Sequence, residues 1–310
     1  MKTIWIGPDV EQALDWSALC DAFVAGHRLP RAEVGDSFLY RGADTLLTRS
    51  AWIDGLGAAV KTATIFPGNA AAGVPTINGG VSLYADGDGR LEAVIDFHLV
   101  TRWKTAGDSL LAARRLARPD ARQILLVGAG NVAEAMRLAY ASVFTDARFE
   151  VWSRTSASAE ALAGRFPETT AVSDLADAVA RADIICTCTL SRDPLIRGEW
   201  LRPGQHLDLI GAFRPDMREV DDAALTRARL FVDSRSTTLD HIGELRLPIE
   251  RGVIDRSAVV ADFYELDADR FQRLTDDEIT IAKNGGGAHL DLMTSRYILQ
   301  CARESADAGS

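Results

Sequence analysis

Cysteine is scarce in this chain: Cys20, Cys186, Cys188 and Cys301 are the only four in 310 residues. Their irregular spacing excludes a disulfide-built scaffold and makes reduced, buried thiols the expected state. Cys186 and Cys188 alternate along an apolar run, so both face one side of a strand; with no second ligand pair, core packing outweighs zinc. Histidine is sparse too. His27, His98, His206, His241 and His289 show no H-x-x-x-H spacing, and no metal site is expected. His289 is read as a polar residue at the start of the last helix, with lining of an active site as the alternative. No stretch approaches the roughly 18 uninterrupted apolar residues of a membrane span. The opening MKTIWIGPDVEQ lacks the apolar core and cleavage site of a signal peptide. A cytoplasmic location is therefore the expectation. Basic residues are in deficit, 34 against 44 acidic, for a net charge of −10. That balance argues against nucleic acid or an anionic membrane surface as the main partner.

What is present is ordinary globular composition, 47% hydrophobic and 25% charged. The length suits two domains at about 100–200 residues each. The middle of the chain alternates strands and helices. ARQILLVGAGNVAEAMRLAY reads as a buried strand, a glycine turn and a helix. FEVWS, TTAVS, DIICTCT, HLDLIGA and RLFVDS follow as strands, separated by SASAEALAGRF, DLADAVARA and REVDDAALTRA as helices. The spacing predicts an α/β fold with a doubly wound parallel sheet. The flanks differ. The first hundred residues predict a helix from Glu11 to Ala25, several strands, and a hairpin turning at Asp86-Gly87-Asp88-Gly89. A helix from about Thr101 to Arg118 leads into the central unit, and Pro119 ends it. The last amphipathic helix has no place in the central sheet and is expected to cross back onto the first hundred residues. The expected organisation is thus residues 119–274 as the Rossmann domain, and residues 1–118 completed by 275–310 as a discontinuous α+β domain.

Gly128-Ala129-Gly130-Asn131-Val132-Ala133 fits G-x-G-x-x-G/A between a strand and a helix. The first glycine permits the tight turn, the second lets backbone approach a pyrophosphate, and the alanine allows close helix–strand packing. Free N–H groups and the dipole at the helix start favour the anion. The alternative is a tight turn in an α/β domain without ligand. An NAD site wants a carboxylate at the end of the second strand, about 20 residues on. Here that strand ends Trp152-Ser153-Arg154-Thr155. A guanidinium flanked by hydroxyls suits a ribose phosphate, so NADPH is favoured, with NADH use left open. The bland reading is an exposed arginine capping the next helix.

Six segments together resemble the ornithine cyclodeaminase/mu-crystallin family. They are KTATIFPGN (61–69), LVTRWKTAGDS (99–109), GAGNVAEA (128–135), TCTLSRDPL (187–195), GQHLDLIGAFRPDMREVD (204–221) and ITIAKNGGGAHLDL (279–292). The resemblance implies a homodimer whose subunit joins a Rossmann domain to a substrate and dimerisation domain built from both chain ends. Members that cyclodeaminate ornithine carry an aspartate where this chain has Phe213, in Gly211-Ala212-Phe213. Phenylalanine accepts no proton, which argues against cyclodeamination. The family's arginine in its RTA motif is Lys104 here, with Asp108 at i+4. These features resemble the ketimine-reductase branch, whose members reduce Δ1-pyrroline-2-carboxylate and Δ1-piperideine-2-carboxylate to proline and pipecolate.

The resemblance implies roles for individual residues. Arg31, Lys61 and Lys104 fall at cationic substrate positions and are candidates to grip a carboxylate. Lys61 is also a candidate proton donor, since a buried lysine can titrate low. Asp108 is a candidate to stabilise an iminium, or else simply pairs with Lys104. The nicotinamide is expected near Ile210, Gly211, Ala212 and Phe213, with Phe213 as an apolar wall. Thr76, Asn131, Val132, Thr189, Met217 and Asn284 fall at dinucleotide positions, and Lys104 is a further candidate for a cofactor phosphate. At 217 and 284 this chain departs from the family's usual lysine and serine. The expected activity is NAD(P)H-dependent reduction of a small cyclic imino acid. Two alternatives stay open: an alanine or other amino-acid dehydrogenase, and a mu-crystallin-like NADPH-dependent ligand-binding protein. Asp221, Asp222 and the run Thr275-Asp276-Asp277-Glu278 are read as solvated surface.

Overall fold

The computed structural model describes residues 3–308. In chain order its elements begin β1 (Ile4–Ile6), α1 (Trp16–His27), β2 (Glu33–Arg41), β3 (Asp44–Ile53), β4 (Gly57–Ile65), β5 (Ile77–Tyr84), β6 (Leu91–Asp96) and α2 (Phe97–Leu116). Then come β7 (Gln123–Val127), α3 (Asn131–Val143), β8 (Arg148–Trp152), α4 (Ser156–Ala163), β9 (Thr169–Ala171), α5 (Leu175–Arg181), β10 (Ile184–Thr187) and β11 (His206–Leu209). The chain closes with α6 (Asp222–Arg227), β12 (Arg229–Val232), α7 (Arg235–Thr238), α8 (Gly243–Glu250), β13 (Val259–Ala261), β14 (Thr280–Lys283) and α9 (Ala288–Ala308). It separates into two compact units, divided at Lys104/Thr105 and at Gly286/Gly287.

The central unit is a parallel sheet of eight strands in the order β13-β12-β14-β11-β10-β7-β8-β9. β7 and β10 are mostly apolar runs and β11 alternates His206 and Asp208 with leucines; all three are buried along nearly their whole length, as strands covered by helices on both faces are. The chain winds outward from β7 in both directions, so the strand order reverses between β7 and β10. In such sheets ligands bind at that reversal, outside the carboxyl ends of the strands. The α/β doubly wound architecture is the one the spacing predicts.

The other unit holds a six-stranded sheet in the order β1-β6-β5-β4-β3-β2, antiparallel except where β1 runs parallel to β6. α9 lies across this sheet, and its buried apolar side chains include Leu290, Leu292, Met293 and Ile298. Asp96 opens α2 by accepting from Leu99 N–H, and Trp103 stacks on Trp16 with ring centroids 3.7 Å apart.

Three expectations change. The helix from Glu11 to Ala25 is two elements: a short 3₁₀ turn over Pro8–Ala13, then α1, which Asp15 caps by accepting from Ala18 N–H. A capping carboxylate sets its own helix start, which periodicity alone had run through. The divides fall at 104/105 and 286/287 rather than at 118 and 275. The C-terminal end of α2 is tied to the parallel sheet, because Leu116 O accepts from Thr280 Oγ1 and Arg273 Nε. The strand after residue 278 is β14, seated inside the parallel sheet between β11 and β12.

Candidate active site

In the parallel-sheet unit, Gly128 follows β7 with φ +125°, and a Cβ there would stand 2.6 Å from the Cys188 carbonyl oxygen. Only glycine fits that turn. At Gly130 a Cβ would meet nothing within 4 Å, so the backbone lies open to a ligand. Asn131 and Val132 are exposed at the start of α3, whose N-cap Gly130 brings no side-chain hydrogen bond. The N–H groups there suit a pyrophosphate. A cleft of about 180 Å³ beside them is lined by Gly128, Trp152, Ser153, Arg154, Thr189 and Leu195 among others. Thr155 N–H donates to Ser153 Oγ at 3.4 Å, and the Arg154 side chain is exposed. The donor set and the open backbone fit a dinucleotide.

The loops after β10 and β11 share one anchor that the sequence did not single out, Glu219. Its Oε1 accepts from Thr189 N–H at 2.9 Å and Thr189 Oγ1 at 2.8 Å; its Oε2 accepts from Gly211 N–H at 2.8 Å and Ala212 N–H at 3.1 Å. Gly211 is needed here, since a Cβ would lie 2.2 Å from Thr189 O. Glu244 accepts in turn from Glu219 N–H and Val220 N–H. Lys283, fully buried, donates to Leu209 O and Asn284 O, both at 2.7 Å. Burial pushes the Glu219 carboxyl up, with Lys283 opposing; burial and the charge of Glu219 push Glu244 up to about 7. Burial lowers Lys283, against the pull of Glu219, Glu244, Asp233 and Asp108.

Of the remaining expected residues in this unit, Ile210 is half-buried and Phe213 is 60% exposed. Ala212 and Met217 are buried together with Ile242. Asn284 is buried and donates to Ser109 Oγ at 2.7 Å, so its side chain is engaged within the fold. Asp108 has no exposed surface and lies in the field of Lys283.

The other unit gathers a second group. Lys61, on β4, is buried and donates to Asp291 Oδ1 on α9 at 2.9 Å. Its ammonium also sits 4.7 Å from the centroid of the Phe97 ring. Arg49 is its cross-strand partner on β3 and is itself paired with Asp36. Burial lowers the Lys61 ammonium, Asp291 raises it, and the charges of Lys104 and Arg49 lower it further. His289 is buried against His27, ring centroids 5.4 Å apart and edge-on. Burial, with the charges of His27, Lys104, Arg31 and Arg49, holds His289 well below the usual imidazole range. Three of the expected substrate residues, Arg31, Lys61 and Lys104, thus fall in one cationic neighbourhood. Thr76 is half-buried just before β5, where its carbonyl accepts from Phe66 N–H. Asp291 and Arg49 escaped the sequence reading. The available signal was Asp291 two residues after His289 in the last segment, and Arg49 alternating with Ala51 and Ile53 on a strand.

The family profile described as the ornithine cyclodeaminase/mu-crystallin family matches residues 51–306. The chain belongs to this family. A curated relative, Delta(1)-pyrroline-2-carboxylate reductase of Paracoccus denitrificans (strain Pd 1222), is 50% identical over 296 residues, spanning 94% of each chain. Among solved structures of the same fold, the Thermococcus litoralis Delta(1)-pyrroline-2-carboxylate reductase with NADH and L-proline superposes with TM-score 0.89. It is 23% identical and covers 97% of this chain and 98% of its own. An archaeal alanine dehydrogenase dimer with bound NAD also superposes with TM-score 0.89, at 26% identity over 99% of this chain and 98% of its own. For this family member, Glu219, Glu244, Lys283 and Asp291 join the residues already set out as candidates.

Proposed function

We propose that the protein reduces cyclic ketimine acids with NAD(P)H, turning Δ1-pyrroline-2-carboxylate into L-proline and Δ1-piperideine-2-carboxylate into L-pipecolate. The observation that carries this reading is the buried ammonium of Lys61 beside the charges of Lys104 and Arg49, in a chain whose position 213 holds no acid. A 2-imino acid offers a carboxylate for those cations and a nitrogen for a proton. The 50% identity to the Paracoccus reductase supports the same substrate class.

When bound at the turn after β7, the dinucleotide supplies the hydride. Arg31 and Lys104 hold the substrate carboxylate. Lys61 holds the proton that the imine nitrogen takes as its carbon is reduced, since an imine accepts hydride most readily when that nitrogen is protonated. Phe213, 60% exposed, offers no base to an amino group. Gly128, Gly130, Asn131 and Val132 bind the pyrophosphate, while Thr189, Ile210, Gly211 and Ala212 border the ring. Ser153, Arg154 and Thr155 favour the ribose phosphate of NADPH over NADH. Asp108 balances the charge of Lys283. The enzyme works as a homodimer in the cytoplasm, in keeping with four free thiols and the dimeric archaeal neighbour.

The test is oxidation of NADPH with Δ1-pyrroline-2-carboxylate, compared with pyruvate plus ammonia. We expect turnover in the first mixture and proline as the product. Turnover only in the second would make the protein an amino-acid dehydrogenase. Dinucleotide binding without turnover in either would make it a ligand-binding protein.

A further inference from the structure

We propose that Asp291 is the positioning residue of the reaction: it fixes the Lys61 ammonium in place and keeps it charged, so that a proton is at hand for the imine nitrogen. The inference rests on the reductase reading and adds to it a carboxylate 230 residues away in sequence.

The geometry has three parts. Lys61 and Asp291 are both buried, with side-chain exposures of 9% and 3%, and their ion pair measures 2.9 Å. The other groups around the pair are cationic or apolar. Lys104 and the Phe97 ring face it from α2, Arg49 faces it from β3, and Val81 is the cross-strand neighbour on β5. On α9 the titratable neighbour in sequence, His289, is held neutral by burial and by the charges of His27, Lys104, Arg31 and Arg49. Asp291 is therefore the one carboxylate that Lys61 touches among the described residues. Its Oδ2 has no hydrogen-bond partner among them, and its Oδ1 accepts from Lys61.

A buried ammonium among other cations sheds its proton unless an anion holds it. Neutral, Lys61 has nothing to donate. With Asp291 present, Nζ carries the proton; as hydride reaches the imine carbon, the C=N π pair becomes the nitrogen lone pair and takes that proton. Lys61 is left as a neutral amine and regains a proton from water. Nothing else is oxidised or reduced beyond imine to amine and dinucleotide to its oxidised form.

The sign is fixed by this chemistry. Activity needs protonated Lys61, so kcat/KM falls as pH rises through the Lys61 pKa. Removing Asp291 takes away the largest influence that raises that pKa, and the basic limb moves to lower pH. For an opposite charge at this distance the displacement is about 1–3 pH units.

The experiment uses the full chain as D291N and D291S, with two readouts. One is the pH dependence of Lys61 labelling by acetic anhydride, read by peptide mass spectrometry. The other is the pH profile of kcat/KM for Δ1-pyrroline-2-carboxylate. We expect both midpoints to fall together, and activity lost at pH 8 to return in part at lower pH, which a merely structural role would not give. D291E, which keeps the charge, should restore a midpoint near that of the unaltered protein. An unmoved labelling midpoint overturns the proposal. So does a Lys61 of the unaltered protein already deprotonated at pH 7, a measurement that needs no variant. If the labelling midpoint falls but no ketimine is reduced by the unaltered protein, the reductase reading fails and the assignment of Asp291 to Lys61 stands.

Discussion

The guanidinium of Arg154, just past the end of β8, is the proposed reader of the ribose. Arg154 is exposed beside Ser153 and Thr155, with no carboxylate on that strand end to take a ribose hydroxyl pair. A charge-assisted bond from arginine to a phosphate is worth about 1.5–3 kcal/mol. Arg154→Asp should therefore raise the Kd for NADPH by about 10- to 100-fold while NADH binding holds or tightens. Titration of nicotinamide fluorescence with each dinucleotide checks this, and equal loss for both would return Arg154 to the role of a surface arginine. Gly128 is legible in a sequence because its chemistry is local: its turn needs φ above zero. Asp291 was not legible in that way. Its meaning lies in Lys61, which only the packing of α9 on β4 brings to it.

At the level of elements, the parallel sheet places the carboxyl ends of β10 and β11 side by side, and Glu219 stitches the two loops that leave them. Four donors converge on its two oxygens, from Thr189 N–H and Oγ1 and from Gly211 and Ala212 N–H. A glutamine there keeps one acceptor oxygen and turns an amide N–H donor onto the other pair. Each buried donor left without an acceptor costs about 1–3 kcal/mol. Glu219→Gln should lower the melting temperature and also raise the Kd for dinucleotide about 10-fold or more. A fall in melting temperature with unchanged Kd would show that the loops hold their shape without it. The strands themselves were readable, since buried parallel strands are short apolar runs between turns. Their neighbours were not. β14 looks like any apolar run, and its seat between β11 and β12 comes from a crossover that no local pattern encodes. Glu219 was hidden likewise, within a segment whose other acids, Asp221 and Asp222, cap α6 and pair with Arg218 and Arg251.

For the whole molecule, the decisive surface is the edge of the six-stranded sheet. β2 is nine residues long, every one exposed, and it pairs only with β3. Val34, Phe38, Leu39 and Tyr40 are all at least 49% exposed, and Phe38 and Tyr40 stack with centroids 6.4 Å apart. A long apolar edge with a free row of N–H and C=O groups invites another chain, and soluble proteins cover or blunt such edges. Two like-charged copies at −10 each meet only where apolar contact outweighs repulsion, and this edge is where the apolar side chains concentrate. A second copy of the chain is therefore the expected cover. Register links that cover to the site: Phe38 lies opposite Leu47, and Leu47 opposite Ala63, which shares a sheet face with Lys61. At micromolar concentration the unaltered protein should sediment as a dimer and the double variant Phe38→Asp, Tyr40→Asp as a monomer. The variant's dinucleotide Kd should stay within about twofold, because the cradle after β7 belongs to the other unit, while its ketimine turnover should fall. A monomeric unaltered protein, or a variant that remains dimeric, would place the contact between copies elsewhere.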